Sequence, residues 1–465
     1  MGPAASAADP GRRDLLRRAT AATALAAAGP LLAGCAAGGS GGGRVSGVPT
    51  TGSAANPFGV DPGAPLDVVV FAGGYGDAYA RANEAVYRRA FPAARVSHLA
   101  TQEISGKLQP RFNAGSPPDV IDDSGAQQMK LDVLQRAGQL TDLTVLLDAP
   151  YRDDPTRRIR DVLLPGTVEQ GSLEGRMYAL NYVYSVYGLW YSARLFRDRG
   201  WRPPTGWQEF IALCGTIRQS GIAPFCHQGR YPTYLNVLIL DLIAKQGGPD
   251  LVARIDALDP TAWDEPAVLA GVDAFQQLVQ QDYLLPGTNG MTHTEAQTAW
   301  CQGRAAFIPC GSWLENEMVA ITPAGFEMAF LPVPALPGDR LPPQAVRAGA
   351  GEPYVVPAKA RNQAGGLEFL RIMLTREAAG SFATAANALT VLRDGLGPDV
   401  VLRPGTGSAA AAVRAAGTHT FDYTYPNRQT AFDLALQSAT NDLVNSRLTP
   451  QQWASAAKAA TAKKI

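Results

Sequence analysis

Short β-branched runs alternate with stretches of helical periodicity in the first part of the chain. Residues 66–71 form the first run, and a Gly-rich loop and a helical stretch at about 77–89 follow it. Residues 95–99 and 119–122 repeat the strand pattern on either side of a helical stretch at 104–112. Strands that alternate with helices are typical of a mostly parallel sheet covered by helices. The sequence therefore predicts an α/β fold.

The same alternation continues through the middle of the chain. Pro224 places a short strand at 223–226 on a sheet edge, because proline cannot donate to a ladder. Residues 331–352 contain five prolines and little periodicity, and we expect a long connection between lobes there. About 400 residues are too many for one ordinary core, so the sequence predicts two lobes. Further helices are predicted at 207–219, 236–245, 266–281, 295–302 and 312–319, and a further strand at 304–309.

The first 60 residues predict export and anchoring rather than a fold. Arg12-Arg13 precedes a mild apolar run that ends in Leu-Ala-Gly-Cys at residues 32–35, the order of a twin-arginine-like lipoprotein signal peptide over residues 1–34. We therefore expect Cys35 to be lipidated and residues 35–60, rich in Gly, Ser and Pro, to form a flexible tether. The alternative is a short helix that happens to contain a cysteine. The predicted location is the extracellular face of the cytoplasmic membrane, with lipid as the only membrane contact.

Composition argues against several classes of function. Lys+Arg and Asp+Glu both number 41, so no basic surplus is present for binding nucleic acid. None of the four histidines has metal-ligand spacing to another histidine or a cysteine, and we expect no metal. The Gly-rich loop at 73–76 lacks dinucleotide and P-loop signatures, and no cofactor is expected.

Four cysteines remain after Cys35, and outside the cell they could form disulfides. A strand predicted between Cys301 and Cys310 holds them too far apart to pair. Cys226 with Cys310 is favoured, because both follow short apolar strands. Free, buried cysteines are the alternative.

Reaction machinery is not evident, whereas aromatic residues gather at element ends. Asp122 and Asp123 are adjacent at a strand end and point to opposite sides, which suits glycosidase chemistry poorly. Glu315 and Glu317 do not share a helix face. The aromatic and polar residues suit sugars, because an aromatic plane covers the apolar face of a sugar ring and polar side chains pair with its hydroxyls.

Several blocks together carry a family resemblance. They are residues 91–92 (FP), 114–120 (AGSPPDV), 138–143 (GQLTDL), 178–181 (YALN), 189–192 (LWYS), 204–210 (PTGWQEF) and 303–307 (GRAAF) leading into 311–313 (GSW). In this order and spacing the chain resembles an extracellular solute-binding lipoprotein of a carbohydrate ABC importer. A narrower resemblance is to the branch that binds N-acetylglucosamine and chitobiose. It is carried by residues 56–60 (NPFGV), 73–76 (GGYG), 101–102 (TQ), 109–113 (QPRFN), 123–125 (DSG), 311–317 (GSWLENE) and 351–353 (GEP).

The resemblance implies a two-lobed, type II periplasmic-binding-protein-like α/β fold with discontinuous lobes and a hinge. Crossings near Tyr182, Val346 and Gly395 would give lobe 1 from 61–182 and 346–395, and lobe 2 from 183–345 and 396–465. The ligand would lie between the lobes, near strand ends and crossings. The predicted ligand-binding residues are Tyr75, Gln102, Asp122, Asp123, Asn181, Tyr184, Trp313, Arg347 and Glu352.

Three of these residues could have a structural role instead of a ligand-binding one. Trp313 is expected to stack on a sugar, or else to cap the lobe interface. Asp123 would accept a hydroxyl proton, or else cap a helix. Glu352 would bind a hydroxyl or amide, or else brace a crossing strand.

The function implied is a binding protein and not an enzyme. It would capture N-acetylglucosamine or chitin oligosaccharides as a monomer and deliver them to the permease subunits of an ABC importer. The alternatives are a binding protein for another oligosaccharide, a secreted glycosidase or lyase, and a purely structural surface lipoprotein.

Overall fold

A computed structural model describes residues 52–164, 166–393 and 400–462. The predicted signal peptide, Cys35, the first part of the tether and the crossing near Gly395 lie outside the described residues. In the part that is described, no helix is both long enough and apolar enough to span a membrane.

Twelve strands and seventeen α-helices make up the described chain. The strands are β1 (Leu66–Phe71), β2 (Val96–Thr101), β3 (Val120–Asp122), β4 (Ser172–Leu173), β5 (Arg176–Met177), β6 (Leu180–Ser192), β7 (Ala223–Phe225), β8 (Ala305–Gly311), β9 (Met328–Leu331), β10 (Val346–Val355), β11 (Leu389–Thr390) and β12 (Thr420–Phe421). The helices of the first half are α1 (Ala78–Ala90), α2 (Ile104–Asn113), α3 (Leu131–Arg136), α4 (Thr144–Asp148), α5 (Thr167–Gln170), α6 (Ala193–Arg199), α7 (Trp207–Gln219) and α8 (Thr233–Asp256). Those of the second half are α9 (Pro266–Gln280), α10 (His293–Cys301), α11 (Leu314–Glu317), α12 (Gln363–Met373), α13 (Arg376–Ala386), α14 (Pro404–Ala416), α15 (Tyr425–Arg428), α16 (Thr430–Val444) and α17 (Pro450–Ala460).

One mixed sheet runs through the molecule in the order β2-β1-β3-β10-β6-β8-β7. Its two ends are parallel, since β1 pairs in parallel with β2 and β3, and β7 with β8. Its centre is antiparallel, because β10 pairs with β3 and β6 in that sense, and β6 with β8. The prediction of a mostly parallel sheet is therefore wrong for the centre.

Several predicted elements are confirmed at the residue level. Strand β1 and helix α7 have the predicted bounds, and β7 is an edge strand as Pro224 required. The helix predicted at 312–319 is limited to α11. The connection predicted at 331–352 is wrong in its last part, which belongs to β10, because pairing with β6 on one side satisfies a backbone that has little side-chain periodicity.

Apolar residues form separate cores at the two ends of the sheet. The first core packs around β1 on both faces, through Val68 on one face and Val69 on the other. The second core packs around β8 through Phe307 and Ile308. Within β6 the chain leaves the first core after Val183 and packs against the second from Tyr184 onward. Strand β10 makes the reverse passage, with Ala348 in the second core and Ala350 in the first.

The first core also includes residues that precede the predicted end of the tether. Phe58 and Val60 are 2% and 3% exposed and pack in this core. The Asn56 side chain holds their turn, because its Oδ1 accepts from Val60 N at 2.8 Å and its Nδ2 donates to Val60 O at 3.0 Å. Residues 56–60 therefore belong to the fold rather than to the flexible tether predicted up to residue 60.

Candidate ligand-binding site

A crevice lies where strands of both cores end. The loop at 73–76 follows β1 and residues 123–125 follow the neighbouring parallel strand β3, so both loops meet at one sheet edge. Residues 312–313 follow β8 of the second core. Crevices at the carboxyl ends of strands are the usual ligand sites of open α/β sheets.

The two sides of this crevice touch through the loop at 73–76 and α11. Asn316 Nδ2 donates a hydrogen bond to the carbonyl oxygen of Gly74. A Cβ atom added to Gly74 would lie 3.2 Å from the Cβ atoms of both Trp313 and Glu317. The first core is therefore closed onto the second at this point.

A cluster of carboxyl and hydroxyl groups lies behind the loop. The hydroxyls of Tyr79 and Tyr354 each donate to Asp122 Oδ2 at 3.2 Å, and the Ser124 hydroxyl donates to Asp122 Oδ1. Burial raises the pKa of Asp122 to about 6. Burial and the nearby charge of Asp122 raise the pKa of Glu352 well above its usual value. Two carboxyls at one buried position disfavour full ionisation, so this pair binds a proton far more readily than isolated carboxyls.

Glu352 has an unusual backbone conformation for a residue inside a strand. Its φ is +55°, in the left-handed region, and the β6–β10 ladder pairs Gly351 and Pro353 but not Glu352 itself. A non-glycine residue seldom adopts this conformation, and such strain concentrates at functional sites. Strand β10 therefore lacks one ladder pair and has an unfavourable backbone conformation at Glu352, and this conformation directs the carboxyl toward Asp122.

Asp123 faces away from that cluster. Its Oδ1 accepts from the Met129 backbone N–H at 2.8 Å, so the carboxylate braces the loop at 124–129. Burial raises the pKa of Asp123 to about 7. The two adjacent aspartates therefore point to opposite sides, as predicted, and only Asp122 joins the hydroxyl cluster.

An aromatic cluster surrounds Trp313 on the other side of the crevice. Tyr187 meets the indole edge to face with centroids 5.6 Å apart, and Tyr234 does so at 6.4 Å. Gly311 permits this placement, since a Cβ atom there would lie 1.9 Å from the indole ring. Trp313 is partly exposed, so its ring remains available to a ligand.

Arg347 supports the aromatic cluster from beneath. Its guanidinium carbon lies 4.9 Å from the centroid of Tyr187 and 5.3 Å from that of Tyr423, and its Nε donates to Asp422 at 2.9 Å. Gln170 Nε2 donates to the other oxygen of Asp422 at 2.6 Å. Arg347 is thus committed to protein partners and positions Tyr187.

The remaining predicted residues occupy different settings. Tyr75 is buried and its hydroxyl has no hydrogen-bond partner among the described residues. Asn181 is fully buried, and neither its amide nitrogen nor its oxygen has a partner within the described chain. Tyr184 packs half-buried against the second core. Gln102 is exposed and donates to Ala72 O at 3.0 Å, which ties down the end of β1.

The structure thus brings Tyr75, Asp122, Trp313 and Glu352 to one crevice, whereas Gln102, Asp123 and Arg347 have structural contacts. Ser124, His293 and Glu317 lie at the crevice and were not among the predicted ligand-binding residues. Ser124 and Glu317 lie in the DSG and GSWLENE blocks, which could have indicated them. His293 had no sequence signal, because α10 carries it to the crevice from a distant part of the chain.

The predicted Cys226–Cys310 disulfide is absent, and both residues are free, buried thiols. Phe225 pairs with Phe307, so Cys226 is level with Ile308 and Cys310 lies two residues further along. Two residues of strand add ~6.6 Å along its axis, which exceeds the reach of a disulfide once the strand separation is included. Cys226 Sγ instead donates to Ala296 O at 3.4 Å. No group of metal-ligating side chains occurs in the ranges that the structure describes.

Sequence comparisons show that this chain is similar to known binding proteins. The family described as bacterial extracellular solute-binding protein matches residues 95–380. The diacetylchitobiose binding protein NgcE of Streptomyces coelicolor is 35% identical over 380 residues, which cover 80% of this chain and 79% of that protein. The multiple sugar-binding protein of Streptococcus mutans is 22% identical over 302 residues, 63% of this chain and 67% of that one.

Solved structures share the fold at low sequence identity. A chitin oligosaccharide binding protein has a TM-score of 0.66 at 21% identity, and covers 82% of this chain and 93% of its own. The binding protein RafE in complex with raffinose has a TM-score of 0.65 at 17% identity, over 85% of this chain and 98% of its own. At these identities the likeness concerns the fold alone.

Proposed function

The chain belongs to the bacterial extracellular solute-binding protein family, and we propose that it captures N-acetylglucosamine oligosaccharides, such as diacetylchitobiose, for an ABC importer. The relative that is 35% identical over most of both chains is named for diacetylchitobiose binding, which supports this choice of ligand. The family consists of solute-binding proteins rather than enzymes, so the glycosidase and lyase alternatives are excluded.

The observation that carries the proposal is the pairing of a partly exposed aromatic ring with carboxyl acceptors across one crevice. Trp313 offers a plane for the C–H face of a sugar ring. Asp122 and Glu352 offer carboxyl oxygens to the hydroxyls, and such charge-assisted hydrogen bonds are stronger than neutral ones. The unpartnered hydroxyl of Tyr75 adds a group that a sugar could satisfy.

We propose two lobes of 61–182 with 346–395, and 183–345 with 396–465, with residues 56–60 added to the first. The passage between cores within β6 supports the first boundary. The passage within β10 lies between Ala348 and Ala350, a few residues beyond the proposed boundary before Val346. Because bound sugar would contact both lobes, it would favour the closed arrangement over an open one. Gln170 and Asp422 come from different proposed lobes, and their hydrogen bond would form on closure.

The protein would act outside the cell, tethered by lipid at Cys35, as a monomer that docks on permease subunits when closed. The extracellular family supports the location, and the lipoprotein motif supports the anchor. Cys35→Ser should release the protein from the membrane fraction into the medium. A variant that stays in the membrane fraction as the parent chain does would contradict the anchor.

Isothermal titration calorimetry of the purified protein tests the ligand. We expect diacetylchitobiose to bind more tightly than cellobiose or maltose, with N-acetylglucosamine included as the single unit. Tight binding of maltose alone would contradict the proposed ligand class and support the alternative of another oligosaccharide. Absence of binding to every sugar would favour a purely structural lipoprotein.

A further inference from the structure

A second group of aromatic and polar side chains adjoins Trp313. We call it the His293 pocket, and it is formed by Tyr231, Tyr234, His293, Trp313 and Glu317. The imidazole lies 5.5 Å from the Tyr231 ring centroid and is stacked at 13° on Tyr234 with centroids 6.4 Å apart. All five side chains are partly exposed, so the pocket opens at the rim of the crevice.

Two polar atoms in this pocket are buried without a protein partner among the described residues. They are His293 Nδ1 and Glu317 Oε2. The other atoms of the same groups face each other, with His293 Nε2 and Glu317 Oε1 3.4 Å apart. A buried polar atom without a partner is unfavourable, and where one persists in a native protein it calls for an explanation such as a bound molecule.

Independent elements hold the two groups in place. His293 is the first residue of α10, whose start is fixed by a capping box in which Glu295 Oε2 accepts from Thr292 N at 2.8 Å. Glu317 ends α11 and packs against Gly74 of the loop that carries Tyr75. The pocket is therefore preorganised and lies beside the loop contributed by the first core.

We infer that the His293 pocket binds the acetamido group of an N-acetyl sugar, and this inference rests on the proposed function. The amide N–H is a donor only and requires an acceptor, which Glu317 Oε2 supplies. The acetyl methyl is apolar and would pack against the rings of Tyr231 and Tyr234. When His293 donates through Nε2 to Glu317, its Nδ1 is an acceptor that a neighbouring sugar hydroxyl can satisfy.

The pocket would distinguish an acetamido group from a hydroxyl by two effects. A hydroxyl would leave the apolar rings in contact with water, and at the open rim it can pair with water instead of Glu317. The acetamido group fills the ring-lined space and pairs the carboxylate at the same time. A site built to pair a buried polar group discriminates strongly against a ligand that leaves it unsatisfied.

The test is the ratio of the Kd for cellobiose to the Kd for diacetylchitobiose, measured by calorimetry for the parent chain and three variants. Glu317→Leu removes the acceptor at similar size, and His293→Phe keeps a stacked ring without nitrogen atoms. Glu377→Leu makes the same chemical change at an exposed glutamate, whose side chain is 68% exposed. We expect Glu317→Leu to lower the ratio by about tenfold, as for one lost charge-assisted hydrogen bond, and the control to leave it unchanged. His293→Phe should lower the ratio by a smaller factor, because Glu317 loses the imidazole that lies 3.4 Å from it.

The outcomes separate the inference from the proposed function. If the parent chain prefers diacetylchitobiose and the pocket variants keep that preference, the inference is wrong while the function stands. If the parent chain shows no preference for N-acetyl sugars, the proposed ligand fails first. Should thermal unfolding show that Glu317→Leu does not fold, the ratio for His293→Phe decides.

Discussion

The substitution Asp123→Asn tests whether Asp123 has a structural role or binds ligand. Asp123 Oδ1 accepts from Met129 N, and an asparagine oxygen can accept the same bond. The substitution therefore keeps the loop at 124–129 in place and removes only the ability to ionise. We expect the affinity for sugar to be unchanged, because Asp122 rather than Asp123 joins the hydroxyl cluster.

The expected gain in stability follows from the pKa of Asp123, which burial raises from 3.8 to about 7. A carboxyl whose pKa is raised in the folded state retains its proton there longer than in the unfolded state, so stability falls as pH rises from about 4 to 7. That separation of pKa values corresponds to on the order of 4 kcal/mol. At pH 8 the asparagine variant should therefore be more stable than the parent chain by up to about 4 kcal/mol, and at pH 4 the two should be equal.

Thermal unfolding at pH 4 and pH 8 measures this difference. For about 400 residues, 1 kcal/mol shifts Tm by roughly 1 °C, so we expect an increase of about 4 °C at pH 8. If the Tm of the variant differs from that of the parent chain by the same amount at both pH values, the pKa of Asp123 is not raised in the folded state. If the variant loses affinity for sugar, Asp123 is a ligand-binding residue after all.

Three further predictions concern the crevice, the central strands and the thiols. Trp313→Leu should weaken sugar binding about tenfold or more in calorimetry, because a stacking plane is lost, while Tm stays within a few degrees. Gly349→Ala should lower the free energy of unfolding by about 3 kcal/mol in a denaturant titration, because its Cβ would lie 2.0 Å from Asp422 Oδ2 and would separate Asp422 from Arg347. An unchanged midpoint would contradict that ion-pair argument. The four cysteines after Cys35 should react with Ellman's reagent only in denaturant; a thiol count below four there would indicate a disulfide.

Local patterns predicted most elements at the ends of the sheet. Strand β1 and helix α7 follow from apolar periodicity and clear breaks, and the family comparison confirms the α/β periplasmic-binding-protein fold. The thirteen-residue strand β6 was not predicted as one element, because it is apolar and aromatic on both faces and shows no alternation. Strand β10 was hidden by its glycines and Pro353, which propensity disfavours in strands.

The site was predictable only where a residue lies at the end of a recognisable strand. Asp122 and Trp313 meet that condition. The roles of Asp123 and Arg347 were not predictable, because they depend on contacts with Met129 and Asp422 that no local pattern specifies. Aspartate at a strand end can face either side, and only the register of the sheet decides which.

The antiparallel pairing of β6 with β10 explains why two carboxyl groups lie together in the crevice. Seven paired positions align Leu180–Tyr187 against Arg347–Tyr354 and connect the two cores through one ladder. Glu352 interrupts that ladder two residues from Tyr354, which pairs with Asp122 at the end of β3, so the sheet places two carboxyls close together and burial favours a proton between them. A pair that shares one proton can donate one hydrogen bond and accept others, which matches the hydroxyls of a sugar better than two full charges would. If Glu352→Gln binds sugar as tightly at pH 5 as at pH 8 while the parent chain loses affinity at the higher pH, the shared proton rather than the charge governs recognition.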